Sequence, residues 1–190
     1  TLDCALEAAG QLRYAIEAAF SQGLPNTPMA GAPLRLISGT FLTSRPVGIV
    51  DGVDYRHSGQ VRKIDTALIQ QLLDQGAIVL MSPMGFSPTG EAFNLTMESV
   101  ATAIASELHA EKLLFLAEIE GIREKPLEPA SPDNRLDTEL SLADAERLMQ
   151  QLPFPEQPTD LGFYLRHCIT ACRNGVERSH IIPFEVDGSI

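Results

Sequence analysis

The 190 residues are 44% hydrophobic and 21% charged, enough for one domain with its own core. Twenty-five acids against 14 bases give a net charge of −11, which excludes a nucleic-acid surface built on clustered Lys and Arg. No apolar run reaches the roughly 18 residues of a membrane span, and no basic leader with a cleavage site opens the chain.

In chain order, "DCALEAAGQLRYAIEAAF" repeats apolar residues at three and four and predicts an amphipathic helix, a candidate for subunit contact as well as core. "GLPNTPMAGAP" is dense in turn formers and ends it. "LRLISG" and "FLTSRPVGIV" read as strands, with Pro46 marking an edge or a bulge. "DGVDYRHSGQVRKID" is polar and reads as a loop or edge ribbon. "TALIQQLLDQG" is a helix capped by Asp65 or Thr66 and stopped by Gly76. "AIVLMSP" predicts a strand buried on both faces, and "MGFSPTGEAFNL" a hairpin with Pro88 and Gly90 at its tip.

"TMESVATAIASELHA" predicts a helix with Thr96 as N-cap and Val100, Ala101, Ile104 and Leu108 on its buried side. "EKLLFLAEIEGI" is a second buried strand, leaving at Glu118, and residues 123–138, with three prolines, form a surface loop. "SLADAERLMQQL" opens with Ser141 as cap and Asp144 at the third helical position. "PFPEQPTD" connects it to the helix "LGFYLRHCITACRNG", which ends at Gly175, and "VERSHIIPFEV" is a last strand. This order predicts an α/β fold with a largely parallel sheet and helices on both faces. The chain starts on a helix at Thr1 and stops just past a strand, so it reads as a fragment of a longer protein.

Three cysteines without a framework spacing fit a reducing cytoplasm. Cys168 and Cys172 stand four apart on one helix face. His167 does not share that face, so packed thiols are expected rather than zinc. Asp51, Asp54, Tyr55, Arg56 and His57 make a polar patch, and Ser58 lacks the sharp turn of a nucleophile. Arg62 and Lys63 beside Asp65 read as a surface ion-pair cluster, and His109 as a helix-end residue favoured by the dipole.

In open parallel sheets ligands sit beyond the carboxyl ends of strands. "SPMGFSPTGEAFNLT", "AEIEGI" and "SHIIP" supply the candidate groups there. Together with "TELSLADAERLM" and "CRNGVERSHII", these segments resemble the amino-acid-kinase family over nearly the whole chain. "SGTFLTSRPVGIVDGVDYRHSGQVRKID" is similar to its N-acetylglutamate synthase branch rather than to the acetylglutamate kinases. The resemblance implies a three-layer α/β/α, carbamate-kinase-like fold, here one partial domain over residues 1–190. A glycine-rich phosphate loop is expected before Thr1 and an acetyltransferase domain after Ile190.

It further implies a cytoplasmic, homo-oligomeric enzyme of arginine biosynthesis. That enzyme passes acetyl from acetyl-CoA to L-glutamate, with this domain as the regulatory part that binds L-arginine. No catalytic residue, metal or cofactor is then expected in this chain; acetyl-CoA is a substrate of the missing domain. The kinases of the family read Asn-x-Asn-x-Asp where this chain has Asn94, Thr96 and Glu98, and carry a helix lysine where Tyr164 stands, with Arg166 nearby. Ala117 and Glu118 replace their Thr and Asp. The resemblance therefore implies a retired phosphate and substrate cleft at Asn94, Thr96 and Glu98, with Thr96 kept as a helix cap. It assigns Lys112, His180 and the Ile181 backbone to the arginine site; read alone, Lys112 is a solvated lysine and His180 a strand-edge histidine. The alternative activity is an acetylglutamate kinase that phosphorylates N-acetylglutamate with ATP.

Overall fold

In the computed structural model the described residues are 2–22, 31, 34–119, 121–123, 139–153 and 159–185. They form two units, Thr1–Val100 and Ala101–Ile190.

The first unit opens with α1 (Leu2–Ser21), followed by β1 (Arg35–Ser38), β2 (Leu42–Pro46), β3 (Ile49–Val50), β4 (Val53–Asp54) and β5 (Gly59–Ile64). Next come α2 (Thr66–Asp74), β6 (Ala77–Leu80), β7 (Met84–Phe86) and β8 (Ala92–Asn94). β1 and β6 pair in parallel, and the remaining long strands form a mixed sheet in the order β5-β2-β7-β8. The expected ribbon in residues 51–65 is a tight β3–β4 hairpin and then β5 at the sheet edge. Its turn places Asp51 and Gly52 at φ of 51° and 79°, the pair of positive angles that a two-residue hairpin turn demands. Pro46, expected to mark an edge or a bulge, ends the interior strand β2 opposite Gly59, and the register shift lies further back, between Thr43 and Ser44. A Cβ at Gly59 would lie 2.5 Å from Phe93 Cβ, so the close approach of β5 to β8 requires glycine.

Asp65 caps α2, its carboxylate accepting from Leu68 N at 3.1 Å. Among the described residues no ion pair joins it to Arg62 or Lys63, so the expected surface cluster gives way to a cap. The strand expected to be buried on both faces is only partly so: Ala77 is buried, Val79 and Leu80 are half-buried and Ile78 is exposed. β6 has one strand partner among the described residues, and α2 packs against it without enclosing it. α1 forms as expected, yet none of its residues is fully buried.

α3 (Met97–Glu107) continues into the second unit, which adds β9 (Lys112–Ala117), α4 (Leu142–Gln151), α5 (Asp160–Arg173) and β10 (Arg178–Pro183). The fully buried residues of α3 are Val100, Thr102 and Ala105, while Ala101, Ile104 and Leu108 are half-buried. The buried stripe is thus rotated from the one expected, with Thr102 and Ala105 buried in place of Ala101, Ile104 and Leu108. Ser141 Oγ accepts from Asp144 N at 3.1 Å and starts α4 as expected; Thr159 does the same for α5 through Gly162 N. The Ser141 hydroxyl, assisted by Arg147, holds the Asp144 carboxyl below its usual range. Residues 124–138 of the expected loop and 154–158 of the connection lie outside the described residues.

β9 and β10 pair in parallel through six residues, from Lys112 beside Arg178 to Ala117 beside Pro183. β9 is not the doubly buried strand expected. Leu113, Phe115 and Ala117 are buried while Lys112, Leu114 and Leu116 are exposed. Ala105, Cys168, Ala171 and Val176 close over Leu113 and Phe115, with Ile181 packed beside them. A second cluster joins Ala145 and Leu152 to Leu165 and Ile169 of α5. α5 therefore buries two faces, one toward the strands and one toward α4.

Candidate functional site

Beyond the carboxyl ends of β1 and β6 lies a cavity of about 590 Å³. α1 roofs it with Ala5, Ala9 and Ile16; Leu80, Met81 and Pro83 floor it, and Asn94 stands on its wall. This is where a parallel pair of strands is expected to offer a ligand site. Its chemistry is apolar. The one cation among its lining residues, Arg13, is 3.2 Å from Glu17 and stacks 4.8 Å from the Tyr14 ring centre. Ser38 Oγ donates to the same Glu17 carboxylate at 3.2 Å. Phosphoryl transfer needs cations aimed at the migrating charge, and the one cation of this wall is committed to Glu17.

Asn94 is thus brought to the cavity, but its two companions are not among the lining residues. Thr96 caps α3: its hydroxyl accepts from Ser99 N at 3.3 Å and donates to Ser99 Oγ. Glu98 lies in the first turn of the same helix, where its charge favours the helix dipole.

In the second unit, strand alternation sorts the other candidates. Lys112 shares a face with Leu114 and Leu116, and their partners Arg178, His180 and Ile182 share it across the pair. Ile181 projects to the opposite face, into the helix-covered core, so only its backbone stays beside His180. His180 is half-buried, and its buried Nε2 has no hydrogen-bond partner among the described residues. Lys112 is exposed at the start of its strand.

Tyr164 packs 5.5 Å from the Phe115 ring centre, against the strand core. Arg166 stacks 5.6 Å over Phe163. Cys168 is a core thiol, pushed up to about 12 by burial and by nearby Cys172, and is inert as a nucleophile. His57 and Ser58 hold β8 through their backbones, with Asn94 N donating to His57 O at 2.8 Å. His109 follows α3 at a φ of 48°, ending the helix.

One polar pair went unread in the sequence. His167 is 7% exposed, and its Nδ1 lies 3.1 Å from the Thr102 hydroxyl, 65 residues away in the chain. Phe163 sits edge-on at 4.9 Å and Phe115 at 6.4 Å, and Nε2 has no hydrogen-bond partner among the described residues. Burial lowers its pKa from 6.5, with Arg166 adding to the shift, so the ring is neutral.

Residues 7–183 match the amino acid kinase family. The chain belongs to that family. It is 51% identical over its whole length to the amino-acid acetyltransferase of Ralstonia nicotianae, covering 40% of that protein. It is 44% identical to the Pseudomonas putida amino-acid acetyltransferase, covering 41%. Family members of this kind are therefore much longer than the chain, which spans about two-fifths of their length. Among solved structures, N-acetylglutamate synthase from Neisseria gonorrhoeae complexed with coenzyme A and L-arginine superposes on 99% of the chain, at a TM-score of 0.85 and 36% identity, over 41% of its own length. Carbamate kinase from Giardia aligns over 80% of the chain and 57% of its own, at a TM-score of 0.58 and 17% identity, and shows the α/β amino-acid-kinase fold alone.

Proposed function

We propose that this chain is the amino-acid-kinase-like regulatory and assembly domain of an N-acetylglutamate synthase, responsive to L-arginine. The whole enzyme transfers acetyl from acetyl-CoA to the amino group of L-glutamate in the first step of arginine biosynthesis, as a cytoplasmic homo-oligomer. The glutamate amine adds to the thioester carbonyl, loses its extra proton, and coenzyme A leaves as the thiol. This chemistry belongs to a segment outside these residues; acetyl-CoA binds there, and this chain carries no catalytic residue of its own.

The observation that carries the reading is Tyr164. Packed on Phe115, it stands where the family's kinases keep a lysine, so developing negative charge has no cation there. The cavity beside Asn94, walled by apolar groups and a paired Arg13, supports the same view of a phosphate and substrate cleft retained as scaffold. Likeness to acetyltransferases over the full chain, and to a synthase complexed with L-arginine, supports the regulatory role.

In the proposed site Lys112 holds the effector carboxylate, while the unpartnered Nε2 of His180 and the Ile181 backbone complete the polar contacts. L-Arginine acts by preferring one arrangement of domains or subunits, shifting it only by its difference in affinity. Two measurements on the full-length protein test this. Titration calorimetry with L-arginine is expected to give saturable heat and a raised melting temperature; neither would appear if the domain served assembly alone. Incubation with ATP and N-acetylglutamate is expected to give no acyl phosphate, and robust turnover would make the protein a kinase instead.

A further inference from the structure

The parallel register puts Arg178 directly beside Lys112, on one face of the β9–β10 pair, and both residues are exposed. Like charges opposed across two strands repel, and such pairs cost stability unless something negative lies between them. Among the described residues neither cation has an ion pair; the neighbouring acids Glu111 and Glu177 are not bound to them, and only the backbone links Arg178 N to Glu111 O, at 3.2 Å. The next row of the same face carries Leu114 beside His180, whose buried Nε2 has no partner among the described residues, and the row after it carries Leu116 beside Ile182. Leu114 and Leu116 are 39% and 50% exposed, so apolar surface continues directly from the cations. Rows two residues apart are separated by about 6.6 Å along the strands.

We infer that Arg178 is a second carboxylate-holding cation of the proposed effector site, acting together with Lys112. The inference rests on the L-arginine reading above and adds a residue that it did not include. The guanidinium fork can take both oxygens of an α-carboxylate, while the lysine ammonium adds a point charge. The aliphatic stem of the ligand then lies over Leu114 and Leu116, and its own guanidinium points away from the two cations, toward the carboxyl ends of the strands. The opposite orientation would set three positive groups together.

The test uses the full-length protein and three ligands: L-arginine, L-argininamide, whose carboxylate is neutralised, and agmatine, which lacks it. In the parent protein, loss of the carboxylate is expected to weaken binding roughly ten- to hundredfold, the range of a charge-assisted hydrogen bond. Arg178→Gln is expected to lose a similar factor for L-arginine and almost nothing for agmatine, so the discrimination between them collapses. Arg178→Lys, which keeps the charge without the fork, is expected to fall between the two and carries the test if the Gln variant does not fold. Equal weakening for all three ligands would mark Arg178 as structural and overturn the inference, as would unchanged L-arginine affinity. If the parent protein binds no L-arginine at all, the effector reading itself fails, a result separable from either of these.

Discussion

Beyond β1 and β6 lies an apolar cavity whose one lining cation is tied to Glu17; on β9 and β10 two cations stand side by side with no acid between them. Both regions are built on a parallel strand pair. They differ in whether charge is already compensated inside the protein. In the first, Arg13 is paired with Glu17, and Ser38 bonds the same carboxylate. In the second, Lys112, Arg178 and the His180 Nε2 remain without partners among the described residues, which is the condition for holding something from outside. Family membership therefore says where to look, and charge compensation is what sets the proposed effector site apart from the cavity.

The contrast can be broken most severely through the support of the second region. Leu165, 2% exposed in the cluster between α4 and α5, anchors the helix that covers the strands. Leu165→Ala is expected to cost about 2–5 kcal/mol in chemical denaturation. Lys112→Ala, next in size, is expected to weaken L-arginine binding to the full-length protein by roughly tenfold or more, while Asn94→Ala leaves it within about twofold. Equal effects of the two in calorimetry would erase the distinction between the regions. Smaller still, Thr96→Ala is expected to cost about 1 kcal/mol of stability through loss of the cap, with L-arginine affinity unaltered. A loss of binding without a loss of stability would give Thr96 back to a site.

The subtlest effect belongs to His167. Its folded pKa is lowered from 6.5, so the unfolded chain takes up its proton first as pH falls. Stability is thus complete above about pH 6.5 and declines as pH drops from there toward the folded value. Among the described groups Arg166 is the charge that bears on it, and it opposes protonation in the same sense as burial. His167→Leu is expected to flatten that part of a denaturation-against-pH series; an unchanged slope would place the titrating group elsewhere.

Much of this was legible where the physics is local. Asp65, Thr96 and Ser141 read as caps because a short side chain three residues before an amide has little else to reach, and each makes that bond. The hairpin tip at Gly90 was likewise readable, and its φ is 88°. The faces of β9 were not: "KLLFLA" is apolar at both parities, so nothing in it says that Leu114 and Leu116 look outward while Leu113 and Phe115 look in. β6 failed for the same reason, since an apolar run does not reveal how many partners a strand will find. Of the candidate residues, Asn94 reached the cavity and Lys112 and His180 shared one face, which the resemblance had grouped without saying why. Arg178 was passed over because register between two distant strands is invisible in either alone, and the Thr102–His167 pair spans 65 residues for the same lack of a local signal.

The unbroken pairing from Lys112 beside Arg178 to Ala117 beside Pro183 has a consequence for how this chain can vary. Between the end of α5 at Arg173 and the start of β10, losing or gaining a single residue would shift the strand by one step and reverse its parity. Imidazole would then turn toward the helices and isoleucine toward the surface. Length changes in that short connector should be tolerated, if at all, only in even numbers.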